Sequence, residues 1–356
     1  MTEPAPTAAP SSASGAGHRL ADRTTLRLGG PARAWTRATD EAGLLDAART
    51  ADAGGDPLLV LGGGSNLVVA DDGFDGTVLE VATSGVEVEG DTCGGAFVTV
   101  QAGEVWDDLV DRAVSEGWIG IEAMTGIPGK VGATPIQNVG AYGQEVADTV
   151  ARVRVWDRAE GRVRTMFPGD CGFGYRTSRF KAEPGRFVVL TVTFQLRFGD
   201  LGAPVRYAEL ARTLGVEVGQ RAPAADVVAA VRGLRASKGM LLDAADHDTW
   251  SAGSFFTNPV LDADAVPEGA PAFEQPDGRV KTSAAWLIDH AGFGKGHGLD
   301  RGTGVSLSTK HPLALTNRGD GTTEALLALA REVRDGVRER FGVTLENEPV
   351  LVACTL

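Results

Sequence analysis

The sequence predicts an α+β protein built in three parts, and three observations point to that class. Residues 20 to 82 mix a helix with short apolar strands around a glycine-rich turn at 62–66. Next, an amphipathic helix and a long glycine-rich loop precede the most regular strand pattern in the chain, residues 188–198. After Gly199 the sequence becomes polar and rich in proline and glycine, which predicts a domain boundary before a third, helix-containing part.

The composition is that of a globular protein with a sizeable core. The chain has 356 residues, 43% hydrophobic and 23% charged, a length that suits two or three domains. The net charge of −13 argues against binding to nucleic acid or to an anionic membrane, because both require basic surface. The three cysteines are widely separated and the five histidines lack ligand spacing, so we expect no disulfide and no metal site. The tail at 1–18 lacks an apolar stretch, which predicts a disordered segment and a cytoplasmic protein.

The elements follow from periodicity. Apolar residues at helical spacing predict helices near 40–51, 106–113, 224–236, 283–291 and 323–341. Apolar runs predict strands at 57–61, 67–70, 78–81 and 153–156. In the strand at 188–198, Leu190 and its alternate neighbours to Phe198 are expected on one face, with Thr191 and Thr193 on the other.

Two glycine-rich segments carry the first functional signal. The turn at 62–66 reads GGGSN, whose successive N–H groups can form a nest that suits a pyrophosphate. It fits neither the GxGxxG fingerprint nor a P-loop, and a plain turn between strands is the alternative interpretation. The loop at 126–143 adds Thr134, Gln137 and Asn138 as donors, against the alternative of an irregular connection.

Three isolated side chains could carry chemistry. Arg176, next to a glycine-containing segment, could form a bidentate contact with a carboxylate or a phosphate, although most arginines are simply solvated. Ser254 lies between a glycine and two phenylalanines, but without the GxSxG elbow it does not indicate a hydrolase. Glu348 enters an apolar strand, and from the residues alone we expect it to cap a sheet edge rather than to be buried.

Eight ordered segments resemble the UDP-N-acetylenolpyruvoylglucosamine reductase family, over residues 20–352. They are TTLRLGGPA (24–32), LGGGSNLVV (61–69), AGEVWDDLV (102–110), IPGKVGATPIQNVGAYGQE (127–145), FGYRTSRFK (173–181), AGSFFTNPV (252–260), AAWLIDHAG (284–292) and LENEPV (345–350).

The resemblance implies a two-part FAD-binding domain of the vanillyl-alcohol-oxidase type, with subdomains at 19–85 and 86–199. It implies a C-terminal α+β substrate-binding domain at 200–356. FAD would bind non-covalently, with its pyrophosphate on the turn at 62–66 and on the loop at 129–141. The implied cofactor residues are Gly62, Gly63, Gly64, Ser65, Asn66, Pro128, Gly132, Ala133, Thr134, Gly140 and Ala141.

The resemblance also implies the reaction. NADPH would reduce FAD, and hydride would pass from flavin N5 to the methylene carbon of UDP-N-acetylglucosamine enolpyruvate, giving UDP-N-acetylmuramate for peptidoglycan synthesis. Arg176, Ser254 and Glu348 match the catalytic positions, with Ser254 as proton donor to the α-carbon. The implied substrate-binding residues are Tyr142, Tyr175, Tyr207, Lys238 and Asn258. Tyr207 matches the branch of the family that closes a longer loop over the nucleotide.

Two other classes of function are compatible with parts of the sequence. A sugar or alcohol oxidase on the same flavin fold would explain the glycine-rich segments but not the catalytic set with Tyr207. A nucleotide-sensing protein would have lost Ser254 or Glu348, and both are present. We expect a monomeric oxidoreductase that uses no metal. The segment at 294–302 matches no motif.

Overall fold

The computed structural model describes residues 18–91 and 94–356. The expected disordered tail, except for its last residue His18, and Cys93 lie outside the described residues. Within those ranges, no helix has the length and apolar character needed to cross a membrane.

The first part is a small parallel sheet with one helix against it. Its elements are β1 (Ala32–Ala38), α1 (Glu41–Gly54), β2 (Leu58–Leu61), β3 (Leu67–Val69) and β4 (Phe74–Val81). The sheet has the order β1-β4-β2. Helix α1 begins where the Asp40 carboxylate accepts the N–H of Gly43, and it ends at Gly55 in the left-handed region with φ 66°.

The second part is built on an antiparallel sheet. Its elements are β5 (Val86–Asp91), β6 (Gly95–Gln101), α2 (Trp106–Ser115), β7 (Trp118–Ile119), β8 (Gly140–Ala141), β9 (Gln144–Glu145), β10 (Val150–Asp157), β11 (Arg162–Met166), α3 (Pro168–Cys171), α4 (Arg179–Ala182) and β12 (Phe187–Phe198). The strand order is β11-β10-β12-β6-β5, with β7 paired to the end of β12.

The strand predicted at 188–198 is confirmed as β12. Thr191 and Thr193 are buried, whereas Phe198 is 49% exposed. The central position of β12 explains the burial of the threonines, because both faces of its first two-thirds are covered. The Thr193 hydroxyl is accommodated there by a hydrogen bond of 2.9 Å with the hydroxyl of Thr99 on β6.

The third part combines helices with small sheets. Its elements are α5 (Ala208–Leu214), α6 (Ala224–Ser237), β13 (Val260–Leu261), β14 (Ala272–Glu274), β15 (Val280–Thr282), α7 (Ala284–His290), β16 (Val305–Leu307), β17 (Leu315–Asn317), α8 (Thr323–Phe341) and β18 (Val350–Val352). All the helices predicted from periodicity are confirmed. The predicted apolar stripe of α8, which includes Leu326, Ala330 and Val333, is fully buried.

The end of the chain returns to the first part. Strand β18 pairs in parallel with β3, so that Val350 lies opposite Leu67. Helix α8 begins against the same unit, because the Asp71 carboxylate accepts the N–H groups of Thr323 and Glu324 at 2.8 and 3.0 Å. This return brings the segment that precedes β18, with Glu348, next to the turn that precedes β3.

Candidate active site

The GGGSN turn connects strands of two different sheets. It follows β2, which pairs with β4, and precedes β3, which pairs with β18. It is therefore a turn between strands of different sheets and not a hairpin turn. Gly64 has φ 62°, and a Cβ there would lie 2.0 Å from the carbonyl oxygen of Arg23.

The two glycine-rich segments form one continuous wall. A Cβ at Gly63 would lie 2.7 Å from the Cα of Gly129, so the two backbones are in direct contact. The Ser65 hydroxyl donates to the Pro128 carbonyl at 2.8 Å, and the Asn66 amide donates to the Gln137 side chain at 2.7 Å. These contacts fix one loop relative to the other.

The first segment presents three consecutive free amide donors. Within residues 18–91 and 94–356, no acceptor bonds the backbone N–H groups of Gly63, Gly64 and Ser65. In the second segment, by contrast, the N–H of Gly132 donates to Ala102, and that of Thr134 donates within its own turn. The N–H groups of Gly129 and Gln137 in the second loop also have no acceptor among the described residues. The nest at 62–66 is thus the denser group of free amides, and a pyrophosphate contact with the loop at 129–141 stays a prediction.

A cleft of ≈ 320 Å³ opens along this wall, within the usual range for small-molecule sites. It is lined by residues of all three parts, including Gly62, Gly63, Gly64, Ser65, Asn66, Pro128, Gly132, Ala133, Thr134, Gly140, Arg176, Ser254 and Glu348. Of the predicted cofactor residues, Ala141 does not line the cleft, because it pairs with Gln144 in the β8–β9 hairpin.

The lining suits FAD. The unbonded amides at 63–65 can accept a pyrophosphate, and the glycines allow its close approach. Val60, Trp106 and Val189 supply apolar surface for flat rings. Lys130, Arg176, Lys181 and Arg235 make the lining locally cationic in a chain of net charge −13. FAD is a dianionic, largely aromatic ligand, so both properties of the lining match it.

Arg176 is anchored on three sides. Its guanidinium donates to the carbonyl oxygens of Asn138 and Gly140 at 3.3 and 2.6 Å, and its Nε lies 3.3 Å from Glu348 Oε1. The backbone at Arg176 has φ 52°, which aims the side chain back toward β8. The interpretation of Arg176 as a merely solvated side chain is therefore wrong, since 22% of that side chain is exposed.

Glu348 is largely but not fully buried, so the expectation of an edge-capping carboxylate is wrong. Its side chain is 15% exposed. Burial raises the pKa of Glu348, while Arg176 and Lys181 oppose that increase. The side chain is thus held closer to protonation than an exposed glutamate. Sequence patterns could not reveal this, because the burial depends on contacts with residues that are far away in the chain, such as Phe255 and Arg176.

The peptide groups of Phe255 tie the catalytic candidates together. Its N–H donates to the carbonyl of Leu313 at 2.7 Å, and its carbonyl accepts the N–H of Glu348 at 2.8 Å. Ser254 precedes Phe255 directly and projects into the cleft. Residues from three distant segments therefore meet at one position.

The predicted substrate residues form two groups beside the cleft. Tyr142 and Tyr207 meet edge to face at 5.6 Å, with the Lys238 ammonium 5.8 Å from the Tyr142 ring. Tyr207 is 50% exposed, and Lys238 forms an ion pair with Glu209. The second group joins Tyr175 to Asn258. Burial raises the pKa of Tyr175, and hydrogen bonding with Asn258 opposes part of that increase.

Sequence reasoning missed two residues of this region. His311 Nε2 lies 3.4 Å from the Ser254 hydroxyl. Arg235 lines the cleft and donates to the carbonyls of Gly126 and Met240, and burial lowers its pKa. A lone histidine or arginine outside any motif gives no local signal. Only the folded chain brings them to the cleft.

Comparison with known proteins agrees with this geometry. A model of the FAD binding domain matches residues 32–166, and a model of the UDP-N-acetylenolpyruvoylglucosamine reductase C-terminal domain matches residues 244–352. The fold and the cleft therefore define a flavoprotein, with a two-part FAD-binding domain followed by a C-terminal α+β domain.

Relatives along nearly the whole chain define its family. UDP-N-acetylenolpyruvoylglucosamine reductase of Cutibacterium acnes is 60% identical over 337 residues, covering 95% of this chain and 90% of that protein. The enzyme of the same name from Streptomyces coelicolor is 56% identical, with the same coverage. The crystal structure of the Thermus caldophilus reductase aligns with a TM-score of 0.64 at 27% identity, over 94% of this chain and 97% of that one. The chain belongs to the UDP-N-acetylenolpyruvoylglucosamine reductase family.

Proposed function

We propose that the protein reduces UDP-N-acetylglucosamine enolpyruvate to UDP-N-acetylmuramate, with NADPH as reductant, in peptidoglycan precursor synthesis. The observation that carries the proposal is the convergence of Arg176, Ser254 and Glu348 on the cleft that also holds the anion-binding nest. A guanidinium, a hydroxyl and a buried carboxyl around one cavity suit a reaction in which an anion forms and is then protonated.

When bound, FAD would accept a hydride from NADPH and supply it to the methylene carbon of the enolpyruvyl ether. Negative charge would then develop at the α-carbon and spread into the adjoining carboxylate. Three of the five N–H donors of Arg176 are engaged, by Asn138, Gly140 and Glu348. The remaining two can contact the substrate carboxylate and stabilise that charge.

Glu348 would act in its protonated form, or by sharing a proton. An ionised carboxylate at this position would repel the developing enolate, whereas a carboxylic acid can donate a hydrogen bond to it. The raised pKa of Glu348 favours this form. The charge of the neighbouring Arg176 lowers the pKa of Glu348. Glu348 can therefore gain or lose a proton when the charge of the bound ligand changes.

Ser254 would give its proton to the α-carbon. A hydroxyl is a poor acid in water, but the carbanion is a strong base, and the transfer would require that bound FAD and substrate exclude water from the cleft. We assign the proton transfer to Ser254 because its side chain lines the cleft close to the Arg176–Glu348 pair.

The nucleotide part of the substrate would lie against the third part of the chain, which we take to begin near residue 200. The Lys238 ammonium can bind the diphosphate, and the half-exposed Tyr207 is free to close over the uridine. Asn258 and Tyr175 would bound the other side of the pocket. Lys238 must exchange its Glu209 partner for the ligand.

Anaerobic stopped-flow experiments separate the two half-reactions and test this proposal. We expect NADPH to bleach the flavin absorbance, and UDP-N-acetylglucosamine enolpyruvate to restore it without oxygen. Ser254→Ala should leave the bleaching nearly unchanged and slow the restoration by about 10²- to 10⁴-fold.

Two results would contradict the proposal. Restoration by oxygen alone, without any effect of the enolpyruvyl substrate, would favour an oxidase. An equal loss in both half-reactions would remove Ser254 from the role of proton donor.

A further inference from the structure

A buried histidine lies beside the proposed proton donor. Among the described residues, His311 is the hydrogen-bond partner of the Ser254 hydroxyl, with 3.4 Å between Nε2 and Oγ. This distance is long for a hydrogen bond, but catalytic contacts often shorten only when the ligand is bound. No role has been given to His311 in the mechanism above.

The segment that carries His311 is fixed to the segment that carries Ser254. Asp248 accepts hydrogen bonds from the backbone N–H of Thr309, at 2.9 Å, and from its hydroxyl. The Lys310 ammonium forms an ion pair with Asp246. Both aspartates lie just before Ser254 in the chain, and the Phe255–Leu313 backbone bond closes the other end. The Ser254–His311 pair is therefore held from both sides.

The surroundings of His311 keep its ring neutral. Burial, followed by the charges of Lys238, Lys295 and Arg235, lowers the pKa of His311 to about 4, and Glu209 acts in the opposite direction. A neutral imidazole carries one N–H and one acceptor nitrogen. The role of the ring therefore depends on which nitrogen faces Ser254.

We propose that His311 is a positioning residue for Ser254, donating its Nε2–H to the serine oxygen. This bond directs the serine proton away from the imidazole and into the cleft. It also stabilises negative charge on Oγ while the serine O–H bond breaks and the new C–H bond forms. The imidazole keeps its own proton, and Ser254 regains one from water before the next turnover. The inference rests on the proposed function, which gives Ser254 the proton transfer.

Variants of the holoenzyme test the proposal in the substrate half-reaction. His311→Leu removes the donor but keeps much of the volume, and we expect substrate-dependent flavin reoxidation to slow by about 10- to 100-fold. His311→Gln retains an N–H at a similar reach and should recover most of that rate. Flavin reduction by NADPH should stay within about twofold in both variants. His297→Leu is the matched control, because His297 bonds Glu332 and Arg301 away from the cleft.

The Ser254→Ala background distinguishes failure of this inference from failure of the proposed function. If His311 acts through Ser254, His311→Leu should add less than about twofold to the loss in Ser254→Ala. An undiminished effect in that background, or a His311→Leu enzyme as fast as the parent, would overturn the positioning role alone. A Ser254→Ala enzyme with normal reoxidation would instead remove Ser254 from the proton transfer, and a parent enzyme whose flavin the enolpyruvyl substrate does not reoxidise would overturn the proposed function.

A readout independent of turnover is the tautomer of the ring. Nitrogen-15 NMR of the histidine side chains at pH 7 should show His311 neutral with its proton on Nε2, and Ser254→Ala should shift the Nε2 resonance. A proton on Nδ1 would make Nε2 an acceptor, turn the serine proton away from the cleft and overturn the inference.

Discussion

The contact between the two glycine-rich segments gives the sharpest test of the cofactor site. In Gly63→Ala, the new Cβ would lie 2.7 Å from the Gly129 Cα, whereas ordinary contact begins at 3.4 Å. The segments would therefore have to separate by about 0.7 Å, the difference between those two distances. Overpacking of this kind costs about 1–3 kcal/mol.

The strain can appear in two measurable quantities. If the segments stay together, the free energy of unfolding falls by the same amount. If they move apart, the amides of the nest lose their alignment, and FAD binds about 5- to 150-fold more weakly. Titration of apoprotein with FAD, followed by quenching of flavin fluorescence, measures the second quantity. Thermal unfolding of the apoprotein measures the first.

Gly233→Ala is the matched control, since it makes the same chemical change in the exposed middle of α6. No heavy atom lies within 4 Å of the new Cβ there, and the backbone is helical. We expect it to stabilise the protein by up to about 1 kcal/mol and to leave FAD affinity unchanged. If Gly63→Ala keeps both the FAD affinity and the melting temperature of the parent, the close contact between the segments is wrong.

Three further predictions concern charged groups. Arg164 and Arg186 hold the buried Asp157 carboxylate at a pKa of about 2, against 3.8 for a free aspartate. The stabilisation by this carboxylate is complete above about pH 4 and is lost as pH falls toward 2. Asp157→Asn should therefore lower the free energy of unfolding by about 2 kcal/mol at pH 7, and the denaturant curves of the two proteins should converge near pH 2. The contribution of Glu348 to stability depends on pH in the opposite direction. Because its pKa is raised in the folded protein, this contribution is complete below the pKa in the unfolded chain and is lost as pH rises through the folded pKa. Glu348→Gln should therefore melt higher than the parent at pH 8, by a margin that shrinks toward pH 4, and an equal margin at both would contradict the assigned burial. Arg176→Lys cannot reproduce three directed contacts, so we expect kcat for substrate reduction to fall by about 10²- to 10³-fold with FAD content unchanged, and parental turnover would remove Arg176 from charge stabilisation.

Much of the fold could be predicted from local pattern. Helix α8 and the strands on either side of the first glycine turn follow from the spacing of apolar residues and from caps such as Thr322, whose side chain accepts the N–H of Ala325. The parallel pairing of those strands does not. The burial of both faces of β12 could not be predicted, because burial of Thr191 and Thr193 depends on what covers a central strand.

In the candidate site, too, some residues could be predicted from the sequence and others could not. The glycines at 62–64 indicated a backbone nest from the sequence, with a plain turn as the alternative. In the structure, Gly63 and Gly64 approach other backbone too closely for a Cβ, and Gly64 also has a positive φ. The resemblance to a known family, carried by short motifs, singled out Arg176, Ser254 and Glu348. Neither source indicated His311 or Arg235, which belong to no motif.

By itself, the sequence determined which segments become helices and strands and where the backbone can approach a phosphate closely, since these depend on residues near each other in the chain. The tertiary structure decided which amides remain free, how deeply Glu348 is buried and which histidine meets Ser254. Those properties arise from contacts between β18 and β3, and between the 254–255 and 311–313 segments. Burial and charge act through space, so residues far apart in sequence set them only after the chain has folded.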